Sequence, residues 1–259
     1  MLLNYLIGPA GSGKTTLTQE VFNYITDYND QLDIIIVNLD PGVKYLPYKP
    51  DIDVREYVNI DDIMKNEGYG PNGAMIEATN RLKDIVEELK YEIDQYNDPD
   101  FVFVDTPGQM ELFAFREIGP LLASSLGFTG TQRIITFLFD PMMCKRPSGF
   151  LSTMFLAAAV QFRFINLPVF HVLTKIDTLQ HEQLEHILNW VEDPYLLEND
   201  IMHYERGMIK EMNLSMVQMF PDLATMSRLT PVSAHTHQGI DLYFGRIQQI
   251  ANNEDSPYV

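Results

Sequence analysis

The chain has 259 residues, 46% of them hydrophobic, and a formal net charge of −18 from 36 acidic and 18 basic side chains. That acid excess excludes a nucleic-acid surface, which needs clustered Lys and Arg, and disfavours anionic lipid; it fits a basic protein partner. A single cysteine, Cys144, excludes an intrachain disulfide and points to a reducing, cytoplasmic setting.

The start, Met1 to Ile7, lacks a basic region and is too short for a signal peptide. No apolar run approaches the roughly 18 residues of a membrane span. Short apolar runs at Leu2–Ile7, 34–39, 101–104, 134–139, Val169–Leu173 and 229–232 predict six strands. Most are apolar at nearly every position, the pattern of parallel strands buried on both faces. Helical patterns at about 13–27, 73–96, 110–126, 149–165, 181–190, 200–219 and 239–251 lie between them. The alternation predicts one α/β domain with a doubly wound, mostly parallel sheet and right-handed crossovers, the layout of a P-loop NTPase. Ligands then bind beyond the carboxyl ends of the strands.

After the first strand comes Gly8-Pro9-Ala10-Gly11-Ser12-Gly13-Lys14-Thr15, a full match to the phosphate-loop pattern in its required strand-to-helix setting. Glycines let successive N–H groups point at phosphate, and the helix beginning near Gly13 adds its positive end. Lys14 is expected at the β/γ-phosphates, Thr15 on Mg²⁺, and Thr16 among the nucleotide-binding residues. The loop alone does not distinguish ATP from GTP.

The second strand ends in Asn38-Leu39-Asp40-Pro41-Gly42. Asp-Pro-Gly suits a plain turn. Asp40 is also a candidate second acid near metal and water: with the phosphate loop first in the chain, the second strand is expected next to the first, so that Asp40 ends beside the γ-phosphate. Residues 41–100 form a long excursion with a short helix near 60–66 and a long charged helix. Within it, Gly68-Tyr69-Gly70-Pro71-Asn72-Gly73-Ala74 reads locally as a turn, with Asn72 a plausible helix cap.

The third strand is followed by Asp105-Thr106-Pro107-Gly108-Gln109. A carboxylate there holds Mg²⁺ directly or through water. Gly108 can offer its N–H to the γ-phosphate, and either Gln109 or Glu111 can orient the attacking water. Glu111 equally suits a first-turn helix acid. After the fifth strand, Thr174-Lys175-Ile176-Asp177 fits the [NT]-K-x-D pattern of GTPases. The Asp177 carboxylate accepts two hydrogen bonds from guanine N1–H and N2–H₂. Adenine offers neither, and unpaired acceptors reject it. The Lys175 stem can lie along the base. Residues 178–228 form a helical insertion. Its methionines (Met202, Met208, Met212, Met216, Met219, Met226) read as core filling or a helix-packing face. Beyond the last strand, Ser233-Ala234-His235 resembles a GTPase signal that brings a backbone N–H near guanine O6; His235 and His237 read as exposed loop residues. The end, 252–259, is short, acidic and expected to fray.

Taken in order, the phosphate loop, Asn-Leu-Asp-Pro, Gly-Pro-Asn, Asp-Thr-Pro-Gly-Gln-x-Glu, Thr-Lys-x-Asp and Ser-Ala resemble the GPN-loop GTPases over nearly the whole chain. The resemblance implies a homodimer that binds GTP or GDP with Mg²⁺ and hydrolyses GTP. It implies that Gly70 and Pro71 set the approach of a loop whose Asn72 reaches the γ-phosphate of the partner protomer, and that Thr15, Asp40 and Asp105 surround the metal. It further implies a nucleotide-controlled switch acting on an unknown protein client in the assembly of protein complexes. Gly42 stands where family members commonly have Ala. The chain resembles the compact archaeal form and lacks the long tail of some eukaryotic relatives. Two other readings use the same residues: a nucleotide-regulated assembly factor with negligible hydrolysis, and a P-loop kinase, against which Thr174 to Asp177 speaks.

Overall fold

The computed structural model describes residues 1–29, 31–165, 167–219 and 228–252. Among these, seven strands form one wholly parallel sheet in the order β3-β2-β4-β1-β5-β6-β7. They are β1 (Leu2–Ile7), β2 (Ile34–Asn38), β3 (Ile52–Asp53), β4 (Phe101–Asp105), β5 (Gln132–Phe139), β6 (Val169–Leu173) and β7 (Leu229–Pro231). The central β1 and β4 are buried at every position. That is why they read as nearly continuous apolar runs, broken only by Asn4 and the terminal Asp105, rather than alternating ones.

Two expectations are corrected here. The second strand does not lie beside the first: β4 sits between them, pairing with β1 on one side and β2 on the other. β4 is sealed on both faces and takes a central place, whereas Ile34 at the start of β2 is only partly covered. The excursion also holds an unforeseen strand. Ile52–Asp53 is too short to show periodicity and flanks β2 at the sheet edge.

The two faces are covered unequally. One carries α1 (Lys14–Tyr28) and the last helix, α12 (Ile240–Ala251), over a cluster that includes Leu17, Val21, Phe103, Val172 and Phe244. A closed polar triangle is buried there: Asn4 Nδ2 donates to Tyr243 Oη (2.7 Å), Thr136 Oγ1 donates to Asn4 Oδ1 (2.8 Å), and the two hydroxyls are 2.8 Å apart. Every member is satisfied, which makes such a network tolerable in a core. The remaining helices serve the larger cluster on the other face.

The excursion supplies α2 (Ile60–Glu67), α3 (Pro71–Arg81) and α4 (Val86–Asp94). The single long helix expected at 73–96 is interrupted by a 3₁₀ turn at Leu82–Ile85. No Gly or Pro marks that break. The helix expected at 110–126 is likewise two pieces, α5 (Met110–Ala114) and α6 (Ile118–Ser125). Further on come α7 (Pro141–Cys144), α8 (Pro147–Arg163), α9 (His181–Glu192), α10 (Pro194–Tyr204) and α11 (Gly207–Val217). The last two divide what read as one helix at 200–219. The core-filling reading of the methionines fails for most of them. Met202, Met208, Met212 and Met219 are exposed, and Met216 is half-buried against the core. Met226 and residues 253–259 lie outside the described residues.

Candidate functional site

The phosphate loop joins β1 to α1. Gly13 is the cap of α1, with φ 96°, and Gly11 has φ 77°. A side chain in that left-handed region is strained, so glycine suits the turn that aims the helix end into the loop. At Gly8 the constraint is space: a Cβ would lie 2.7 Å from Ser12 Oγ and 2.9 Å from Leu138 Cβ. Lys14 is buried, and its Nζ donates to Gly8 O (2.8 Å) and Pro9 O (3.2 Å). Burial depresses its pKa, against the pull of Asp105, Asp40 and Glu111.

Beside it, β4 ends in Asp105. Burial pushes that carboxyl up to about 6, while Tyr48, Thr15 and Lys14 draw it down. Its Oδ2 accepts from the Tyr48 hydroxyl at 2.7 Å. Its Oδ1 is buried and has no hydrogen-bond partner among the described residues, as is the case for Ser12 Oγ. Unpaired buried oxygens are costly, so each asks for a partner of another kind.

Asp40 ties two strand-end loops together. Its Oδ1 accepts from Gly42 N–H and its Oδ2 from Gly108 N–H, each at 2.8 Å. The Gly108 N–H thus points at Asp40, where sequence reading aimed it at phosphate. Asn38 braces the turn, accepting from Asp40 N–H (3.0 Å) and donating to Asp53 Oδ1 (2.9 Å). Asp53 in turn holds Arg55. Gln109 and Glu111 are both exposed, at the cap and in the first turn of α5.

Across the loop lies the second half of the site. The turns after β6 and β7, with the start of α1, enclose a cavity of about 250 Å³ lined by Gly13, Thr16, Thr174, Lys175, Asp177 and Ala234, among others. Thr174 Oγ1 donates to Ser12 O (2.7 Å), clamping the β6 turn to the phosphate loop. Lys175 takes a left-handed backbone (φ 52°), and its Nζ donates to Gly11 O and to Asp140 Oδ2 (2.8 Å). Asp177 Oδ1 accepts from Ser233 Oγ at 2.6 Å, and that hydroxyl accepts from Thr236 N–H (3.1 Å). His235 and His237 are exposed, and His237 meets Glu20 at 3.2 Å.

The Gly70-Pro71-Asn72 turn opens α3. The cap is Gly70 and Pro71 is the first helical residue, so Asn72 lies inside the first turn and is not the cap. Proline's fixed φ and missing N–H suit that first position. All three residues are exposed. Sequence reading quoted Asn38 in its motif without giving it a role, and missed Tyr48, Asp53 and Asp140. Of these, Asp140 alone had a signal: it opens an Asp-Pro pair directly after a strand, as Asp40 does.

A phosphate-loop motif at the carboxyl end of β1, adjoining a pocket walled by the β6 and β7 turns, has the layout of a P-loop GTPase. A family model described as "Conserved hypothetical ATP binding protein" matches residues 6–253. The chain is 36% identical over 237 residues to the GPN-loop GTPase PAB0955 of Pyrococcus abyssi, covering 91% of each. It is 28% identical to GPN-loop GTPase 1 of Dictyostelium discoideum, covering 98% of this chain and 62% of that relative's length. The crystal structure of PAB0955, a GTPase in apo form, aligns with a TM-score of 0.82 at 34% identity, covering 97% of this chain and 96% of that one. The chain belongs to the GPN-loop GTPase family.

Proposed function

We propose that this protein binds GTP with Mg²⁺, hydrolyses it to GDP and phosphate, and works as a dimer whose shape follows the nucleotide. The observation that carries the reading is the pairing of one carboxylate, Asp177, with a cavity that adjoins the phosphate loop. The matching family model is described in terms of ATP. A carboxylate acceptor in the base pocket instead favours guanine, whose N1–H and N2–H₂ it can pair.

The described residues fit a hard cation. Asp105 Oδ1 is a buried carboxylate oxygen with no hydrogen-bond partner, and Thr15 adjoins it. Oxygen donors of this kind suit Mg²⁺. Asp40 already gives each of its oxygens to a loop amide, which suits contact through water. Bound there, the ion would neutralise charge on the β- and γ-phosphate oxygens.

The protein's own groups carry the rest. Lys14 exchanges Gly8 O and Pro9 O for the β/γ-phosphate oxygens. Thr174 and Lys175 hold the β6 turn against the loop, so base and phosphates are read by one rigid unit. Gln109 or Glu111 orients a water in line with the γ-phosphorus. The water oxygen bonds to phosphorus as the bond to the β–γ bridging oxygen breaks, and GDP and phosphate leave. Asn72 of a second protomer donates to the γ-phosphoryl oxygens. A neutral amide there should contribute less than the ~10³–10⁵ of an arginine finger. The client whose assembly the switch would serve is a protein, in keeping with the acidic surface.

Displacement of a fluorescent GDP analogue tests the base assignment. GTP should displace it at least ~10²-fold more effectively than ATP, and Asp177→Asn should abolish that preference. Equal competition by ATP in the wild-type protein would sink the reading.

A further inference from the structure

The helix that opens at Gly70-Pro71-Asn72 meets the Asp40 turn through Met75. A Cβ built on Gly42 would lie 2.0 Å from Met75 Cε, 3.0 Å from Met75 Sδ and 3.2 Å from Ile60 Cδ1. Position 42 is therefore a notch, and the end of the Met75 side chain fills the volume that an alanine methyl would take. Met75 sits one turn beyond Asn72 on the same helix, and Ile60 begins the neighbouring α2. Arg81 fastens these two helices into a unit, meeting Glu67 of α2 at 2.6 Å and Glu77 of α3 at 2.9 Å.

The other side of the notch is the site itself. Gly42 N–H holds Asp40 Oδ1, and Asp40 Oδ2 holds Gly108 N–H. An unbroken line of contacts thus runs from Asn72 through α3, Met75, Gly42 and Asp40 to Gly108. Packed interiors shift between discrete arrangements rather than deforming continuously, so such a line carries displacement.

We propose that Met75 is a positioning residue: seated in the Gly42 notch, it couples the placement of the Gly70-Pro71-Asn72 turn to the orientation of the Asp40 carboxylate and the Gly108 amide. The inference rests on the GTPase reading above. Gly42 and Met75 form a complementary pair, a small residue facing a long flexible one. Substituting either alone disturbs the notch, by crowding in Gly42→Ala or by a void in Met75→Ala. The Gly42→Ala/Met75→Ala double variant puts a methyl back where the Met75 methyl was.

Three measurements on the full chain test this. In GTP hydrolysis, Met75→Ala should lower kcat about tenfold and Gly42→Ala less, because the flexible end of Met75 can give way to a methyl at position 42, with KM changed less than about twofold in both. The double variant should return kcat to within about threefold of wild type. Met64→Ala, which truncates a half-buried methionine of α2, should lower the thermal midpoint as Met75→Ala does while leaving kcat unchanged. Amide hydrogen exchange over residues 40–44 should quicken in Met75→Ala and recover in the double variant. Unchanged kcat in Met75→Ala, additive losses in the double variant, or unchanged exchange would each overturn the coupling. If the wild type itself does not turn over GTP, the hydrolysis reading falls while the exchange comparison still decides the coupling.

Discussion

At the residue scale, the site depends on a few charged groups held by precise local partners. Lys175 shows this best. Its ammonium is fixed by Asp140 at 2.8 Å and by Gly11 O, and its stem passes within reach of Gly13, where a Cβ would lie 3.7 Å from Lys175 Cε. Asp140→Ala frees that ammonium and lets the side chain wander over the base pocket. GDP affinity should fall about tenfold, in line with about 1.4 kcal/mol for one charge-assisted contact; because Asp140 Oδ1 also caps α7 by accepting from Met142 N–H (2.8 Å), the thermal midpoint should fall too. Titration of a fluorescent GDP analogue measures it.

His171 couples stability to pH through linkage. It is buried beside Phe137 and Phe139, and burial lowers its pKa to about 4. In the unfolded chain the imidazole gains its proton near its ordinary value of 6.5, so between about pH 6.5 and 4 the unfolded state binds more protons. Stability is therefore full above that window and falls as pH drops through it. His171→Leu should reduce the slope, read from urea midpoints at several pH values. Asp105 contributes with the opposite sign, because its pKa is raised. The comparison of the two chains cancels that contribution.

At the element scale, strands and helices carry the site by where they end. Every motif but the Gly70-Pro71-Asn72 turn, which opens α3, falls at the carboxyl end of a parallel strand, and burial of β1 and β4 on both faces leaves those ends as the place where loops converge. The α12 helix is tied to this frame by the Asn4–Thr136–Tyr243 triangle, which spans two strands and the helix. Tyr243→Phe removes one hydroxyl and leaves two buried polar groups short of a partner. The cost should be about 1–3 kcal/mol in denaturant unfolding, with guanine-nucleotide affinity unchanged. The phosphate-loop helix and the strand-end turns were legible in advance because their signals are local: glycine spacing, a charged residue after an apolar run, a turn dipeptide. The 3₁₀ break at Leu82–Ile85 and the two-residue β3 were not legible, since one has no Gly or Pro and the other no room for a period. The exposed methionines of α10 and α11 misled because residue type and helical spacing do not reveal whether a neighbour covers them.

At the scale of the whole molecule, the proposed dimer has a direct test. If Asn72 acts across the interface, a chain carrying Asn72→Ala can still lend an intact nucleotide site, and one carrying Lys14→Ala can still lend its asparagine. Mixed dimers of the two should regain part of the turnover that each alone has lost. Absence of any rescue in dimers shown to be mixed would remove the role in trans. Two protomers each carrying −18 also repel one another. Added salt should therefore strengthen the association, as measured by sedimentation, until screening is complete.

Read by itself, the amino-acid sequence determined the α/β class, the phosphate loop, the Thr-Lys-x-Asp turn and the order of the motifs, because each is written within a few residues of chain. Only the tertiary structure decided which of them touch. Tyr48 meets Asp105 across 57 positions and Lys175 meets Asp140 across 35, and neither pair shares a local pattern. The same holds for the Met75 methyl in the Gly42 notch and for β4 lying between β1 and β2. The reason is physical: strands sealed on both faces carry interchangeable apolar patterns, so hydrophobic periodicity identifies them as central without ordering them, and side-chain contacts across them follow from that order alone.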